Sequence, residues 1–233
     1  NAFGMSEQVS LYLVSTPLHF LLSSMIAIDK QEKAYLAFID QRSHKSDSLY
    51  YKIAKDWTSS PFDDVFFISR KQRGLIQKKQ ERKSAFKKID QVISNVKPDH
   101  IYVGNDRRIE FQYAMHRATL TRKCIGHYFD DGGATYIGQT RGLFTILAET
   151  LTNKLKYGSW YKYAATPGTS TWVEDLIVAF PEQVIKQLKS KPRHCIPNNF
   201  STPPIKDLAI HFFEKQQLEH MIKADYFLTL PVL

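Results

Sequence analysis

The chain has 233 residues, enough to bury a sizeable core as one large domain or two small ones without disulfide or metal staples. With 43% hydrophobic and 24% charged residues it is an ordinary globular composition, and its two cysteines, Cys124 and Cys195, exclude a disulfide-built secreted module and leave too few thiolates for a structural zinc site. The 32 Lys+Arg against 23 Asp+Glu leave a net charge of +9, which points to a polyanion, a membrane surface or an acidic substrate without choosing among them.

Asn1-Ala2-Phe3-Gly4 ahead of Met5 reads as a cloning remnant. The most apolar run, from Tyr12 to Ile28, is broken by Ser15, Thr16, Pro17, His19, Ser23 and Ser24. It is neither a membrane span nor a signal peptide, and a reducing, cytoplasmic location is expected.

Apolar, β-branched and aromatic runs of strand length recur in chain order: Val9 to Val14, Ala34 to Ile39, Val65 to Ile68, His100 to Val103 and Cys124 to Phe129. Helix-patterned stretches separate them, so the fold class expected is α/β, a Rossmann-like parallel sheet flanked by helices. After the first strand, Ser15 or Thr16 caps a helix with Pro17 at its first position and Leu18, Leu21, Leu22, Met25 and Ile26 on one face. Between Arg70 and Lys88 stand nine Lys/Arg residues against one acid, Glu81, which is eight of the nine net charges. Ile76, Phe86, Ile89, Val92 and Ile93 give this stretch a helical apolar face, so it reads as a basic amphipathic helix. It is either a solvated helix face, a peripheral contact with an anionic membrane or a contact with an anionic glycan; no nucleic-acid-binding motif surrounds it.

Beyond Thr140 come an aromatic, helix-like region from Leu143 to Tyr163, a Thr-Pro-Gly turn at 166–168 and an apolar run from Val173 to Phe180. Segment 191–205 carries four prolines with Asn198 and Asn199, which is linker composition. A helix from Ile205 to Lys223 and a strand from Tyr226 to Leu230 follow. The division expected is a domain over 5–190, then a linker, helix and first strand of a second, otherwise missing domain over 191–233.

In open parallel sheets ligands gather outside the carboxyl ends of the strands. Three loops fall there: Ser15-Thr16-Pro17, Gly104-Asn105-Asp106-Arg107 and Asp130-Asp131-Gly132-Gly133. The third sets two carboxylates after a strand and before two glycines that permit close backbone approach. One of the acids could take a hydroxyl proton as general base; a capped turn explains the pair equally well. Neither a D-x-D metal motif nor a phosphate-loop pattern is present. His19 lies in a first helix turn within reach of the cleft, whereas His127 is inside a strand. Arg107 and Arg108 suit an acidic sugar or phosphate, or are plain exposed arginines. Cys124 reads as a buried hydrophobe and Cys195 as a linker residue, neither with a nearby base.

Leu11-Tyr12-Leu13-Val14-Ser15-Thr16-Pro17-Leu18-His19, Ile101-Tyr102-Val103-Gly104-Asn105 and Tyr128-Phe129-Asp130-Asp131-Gly132 together resemble bacterial sialyltransferases, in particular the lipooligosaccharide sialyltransferases and the capsular polysialyltransferase group. Val178-Ala179-Phe180-Pro181-Glu182 is similar to the segment before the crossing into their second domain. The resemblance implies the N-terminal half of a two-domain GT-B type glycosyltransferase, with an acceptor-glycan side here and CMP-sialic acid bound by the other half. It implies inversion, no metal or cofactor, and a base at Asp130 or Asp131. Ser15, Thr16, Pro17, His19, Asn105, Asp106, Arg107, Gly132 and Gly133 are the substrate-binding candidates. The family's His-Pro motif is missing, since none of the eight histidines precedes a proline. The chain is therefore expected to be incomplete for donor binding, and a non-catalytic acceptor-binding or assembly module is the alternative.

Overall fold

Strands buried on both faces should be near-continuous apolar runs, and β1 (Val9–Val14) is buried at every position but its first. A computed structural model describes residues 7–40, 48–69, 75–130, 132–138 and 143–216. After β1 come α1 (Pro17–Lys30), β2 (Lys33–Asp40), α2 (Leu49–Asp56), β3 (Phe62–Ser69), α3 (Leu75–Val96), β4 (His100–Val103) and α4 (Ile109–Thr119). Then follow β5 (Ile125–Phe129), α5 (Ala134–Ile137), α6 (Leu143–Tyr157), β6 (Asp175–Val178), β7 (Arg193–Cys195) and α7 (Pro203–Gln216). The seven strands form one sheet in the order β3-β2-β1-β4-β5-β6-β7, each parallel to its neighbours. This is the α/β, Rossmann-like architecture expected from the sequence. Its strand order reverses between β1 and β4.

Alternation along each strand divides the core into two layers. Leu11, Leu13, Ile101 and Val103 face α3 and α4, while Tyr12, Val14, Tyr102 and Phe129 face α1, α2 and α7. In α1 the expected Leu22, Met25 and Ile26 are buried, whereas Leu18 is 43% exposed. The polar residues of this helix are satisfied locally: the Ser23 and Ser24 hydroxyls donate to the Phe20 carbonyl at 2.9 and 2.8 Å.

Two expectations change. The apolar face of the basic helix α3 is not available to a membrane, because Ala85, Ile89, Val92, Ile93 and Val96 are buried against the sheet. Lys83, Lys87 and Lys88 remain exposed, and residues 70–74 lie outside the described residues. The segment 191–205 is not a plain linker either. Arg193–Cys195 pairs with β6, the Asn199 amide donates to the Met25 carbonyl at 2.9 Å, and Ile205 and Leu208 of α7 enter the core beside α1. Pro192 and Pro197 flank a three-residue edge strand, where proline is tolerated, so proline content alone misreads it. The strand anticipated at Tyr226 to Leu230 lies outside the described residues. Among those described, no helix is long and apolar enough to cross a membrane.

Candidate functional site

The switch between β1 and β4 opens a crevice at the carboxyl ends of these strands, the usual ligand edge of such sheets. After β1, Thr16 is extended at φ −134° and caps α1 by accepting the His19 N–H on its hydroxyl at 3.1 Å, with Pro17 next. Ser15 does not cap; its hydroxyl lies 3.3 Å from His19 Nδ1. The His19 ring is only 2% exposed and stands edge-on to Phe129 at 5.5 Å. A Cβ on residue 104 would sit 2.3 Å from His19 Nε2, so Gly104 is required for the ring to occupy the switch point. His19 is therefore a packed group, and neither it nor Ser15, Thr16 or Pro17 lines the cavity that Asn105 and Arg107 border.

The loop after β4 divides its residues between two tasks. Asn105 turns the chain, its side-chain oxygen accepting the Arg107 N–H at 3.2 Å and its carbonyl accepting the Arg108 N–H at 3.2 Å. Asn105, Arg107 and Arg108 line an open cavity of about 530 Å³ with Glu149 and Asn153 of α6 and Tyr161, Tyr163 and Ala164. Burial raises the Tyr161 phenol above its ordinary range, while the Asn153 hydrogen bond and the Arg107 charge act the other way. Two guanidiniums, one carboxylate, an amide from each side and two phenols suit a polar, hydroxyl-rich ligand carrying negative charge.

Asp106, expected at this cleft, is instead fully buried and points away from it. Its two oxygens accept the Gly168 and Ser170 N–H groups at 2.8 and 2.7 Å. Burial pushes its carboxyl up to about 6 against the pull of these bonds and the Lys191 charge. Lys191 donates to the carbonyls of Gly168, Ser170 and Val173 at 2.8, 2.7 and 2.8 Å. Gln112 completes the network, bridging the Asp106 and Lys162 carbonyls and accepting the Lys162 N–H. These three side chains hold the long α6-to-β6 connection that carries Tyr161 and Tyr163 to the cavity. The sequence offers no local signal for such pairings: the Lys191 bonds span 18 to 23 residues, and those of Gln112 to Lys162 and of Asp106 to Gly168 and Ser170 span 50 to 64.

At the end of β5, Asp130 is 5% exposed and accepts from four protein donors. Its Oδ1 takes the Gly132 N–H at 2.9 Å and the Thr135 hydroxyl at 3.0 Å; its Oδ2 takes the Tyr136 hydroxyl and, at 3.2 Å, the Ala179 N–H. A carboxylate has about four lone-pair positions, so the protein itself uses them all. Of the two explanations for this acid, the capped turn is the one the geometry bears out for Asp130. Burial and the adjacent carboxylate together hold the Tyr136 phenol well above its ordinary range, so it remains a proton donor. Gly132 adopts φ +88° with open space where a Cβ would be, while Gly133 is helical at φ −52°. Asp131 lies outside the described residues.

The remaining expectations fall away from the crevice. His127 sits between Asp175, whose carboxylate is 2.5 Å from its Nδ1, and His100, whose Nδ1 is 2.8 Å from its Nε2. An ionised carboxylate only accepts, so Nδ1 of His127 carries the proton shared with Asp175. It is a satisfied core histidine. Cys124 is buried, which pushes its thiol up to about 12. Cys195 is exposed and, contrary to its linker assignment, borders a cavity of about 200 Å³ with His127, Asp175 and His194. No group of three or more His, Cys, Asp or Glu side chains among the described residues could hold a metal ion.

No family model and no curated protein matches the chain. Among solved structures it is similar to one described as the crystal structure of UDP-N-acetylglucosamine 2-epimerase, at 12% identity and a TM-score of 0.45. That likeness covers 79% of this chain and 45% of the other, so the chain spans less than half the length of that protein.

Proposed function

We propose that the polar cavity between the β4 loop and α6 binds a glycan bearing negative charge and that the chain is the acceptor side of a sialyltransferase-like glycosyltransferase. The observation that carries this reading is that this cavity is lined by Arg107 and Arg108, beside the loop that follows β4 at the carboxyl edge of the sheet. The motif resemblance supplies the reaction: transfer of sialic acid from CMP-sialic acid to a cell-surface glycan such as lipooligosaccharide or capsule, on the cytoplasmic side, without metal or cofactor. In an inverting transfer the acceptor oxygen forms its bond to the anomeric carbon as the bond to the phosphate oxygen breaks. CMP leaves, and the acceptor proton passes to a carboxylate. With the Asp130 oxygens committed to the turn, that base falls on Asp131. The arginines hold the acceptor's acidic groups by charge-assisted hydrogen bonds.

A non-catalytic glycan-binding module is the second reading, favoured by the same saturation of Asp130. Two measurements separate them. Calorimetric titration of the chain with a sialylated oligosaccharide should show binding that Arg107→Ala weakens about tenfold or more, as expected when a charged hydrogen bond is lost. Release of CMP from CMP-sialic acid by the protein encoded by the complete gene should require Asp131. Binding without any CMP release leaves the module reading standing; absence of both overturns the proposal.

A further inference from the structure

A surface helix normally turns its apolar stripe inward, and α6 does the reverse. Phe144, Leu147, Leu151 and Leu155 follow one another at spacings of three and four residues, which sets them on one face. They are 90, 66, 63 and 82% exposed. The opposite face is polar: Glu149 and Asn153 line the cavity with Arg107 and Arg108. No described residue of α6 joins either apolar core cluster. The helix roofs a polar crevice while offering solvent an apolar ridge about 16 Å long, at 1.5 Å per residue.

What surrounds the ridge is cationic. Lys154 and Lys156 are exposed on α6 itself. Arg82 of α3 stacks over the Tyr157 ring at 5.0 Å, which sets a third cation at the carboxyl end of α6. We infer that the outer face of α6, with Lys154, Lys156 and Arg82 at its carboxyl end, docks the protein on an anionic lipid surface. The leucines and Phe144 enter the boundary between head groups and acyl chains, and the lysines meet lipid phosphates. Charge complementarity selects this occupant: an apolar ridge ending beside two exposed lysines and Arg82 matches a surface that is apolar within and negative outside. This inference does not depend on which sugar the crevice takes.

Co-sedimentation of the full chain with vesicles of phosphatidylcholine, alone or with about one third phosphatidylglycerol, tests it. The protein should pellet with the anionic vesicles and several-fold less in high salt, where surface charge is screened. Leu147→Glu with Leu151→Glu should lower the bound fraction about tenfold or more at an unchanged melting temperature, because both side chains are exposed. Lys154→Glu with Lys156→Glu, which leaves the ridge intact, should lower it several-fold and flatten the salt dependence. Failure to bind either kind of vesicle, or binding that the Leu147→Glu/Leu151→Glu pair leaves intact, overturns the inference. So would a dimer that this pair converts to a monomer, which would assign the ridge to a second copy of the chain.

Discussion

Asp106 and Asp130 each follow a strand at the carboxyl edge of the sheet, and each has turned from the crevice to serve the backbone, by different means. Asp106 is sealed behind the β4 loop with two N–H donors and the Lys191 charge nearby, and burial holds its carboxyl up to about 6. Asp130 sits at the edge itself, where four donors, one of them a phenol, use its oxygens. Position at the ligand edge therefore does not by itself assign an acid to a ligand. Asn105 and Arg107, on either side of Asp106, line the cavity that Asp106 leaves.

The sharpest way to break this comparison is Asp106→Ala. It strips two buried N–H groups of their acceptor and removes the negative charge nearest the half-buried Lys191, at a cost of about 3 kcal/mol. In a chain of this size that lowers the melting temperature by roughly 6–12 °C. Retention of the wild-type melting temperature would remove the network from the structural account.

The raised Asp106 carboxyl carries a pH signature of similar size. The native state keeps this proton up to about pH 6 whereas the unfolded chain releases it near 3.9, so the native state binds more protons between these values. Stability from this group accordingly falls as pH rises from about 4 to about 6, by up to about 3 kcal/mol. Urea unfolding of wild type and Asp106→Asn across that range should show the difference between them changing in this sense; a flat difference would contradict the burial argument.

Asp130→Asn sharpens the other side. The amide presents its own donors to the two that Oδ2 accepted, for a loss of about 2 kcal/mol in thermal unfolding. Tyr136→Phe should cost about 1 kcal/mol, removing one of the four donors and the acceptor of the Phe180 N–H. Smallest in stability is Asp131→Asn: a shift within about 0.5 kcal/mol, with CMP release abolished in the complete protein. A large fall in melting temperature with transfer intact would instead make Asp131 a second structural acid.

Much of the frame was legible from Val9 to Phe129. The strands β1 and β4 match their apolar runs to the residue, and Thr16-Pro17 announces the start of α1. Of the site, the loop after β4 was read at the right strand end, and Asn105 and Arg107 do meet there. Glu149, Asn153, Tyr161 and Tyr163 were missed, because what brings them to Arg107 is the Asp106–Gln112–Lys191 network rather than any spacing along the chain. The edge strand β7 was taken for linker because its prolines are a local cue and its pairing with β6 is not.

The sequence by itself determined the period of each element and hence the two-layer α/β sheet, since alternation in strands and three-to-four spacing in helices are properties of neighbouring residues. Only the tertiary structure decided that Asp106 and Asp130 are engaged by the protein itself and which apolar stripe stays outside. The stripes of α3 and α6 are alike on paper, yet α3 buries its own against the sheet and α6 lays its polar face over a polar cavity. The physical reason is that donors, acceptors and covering surfaces are supplied across the fold, by residues whose distance along the chain bears no relation to their distance in space.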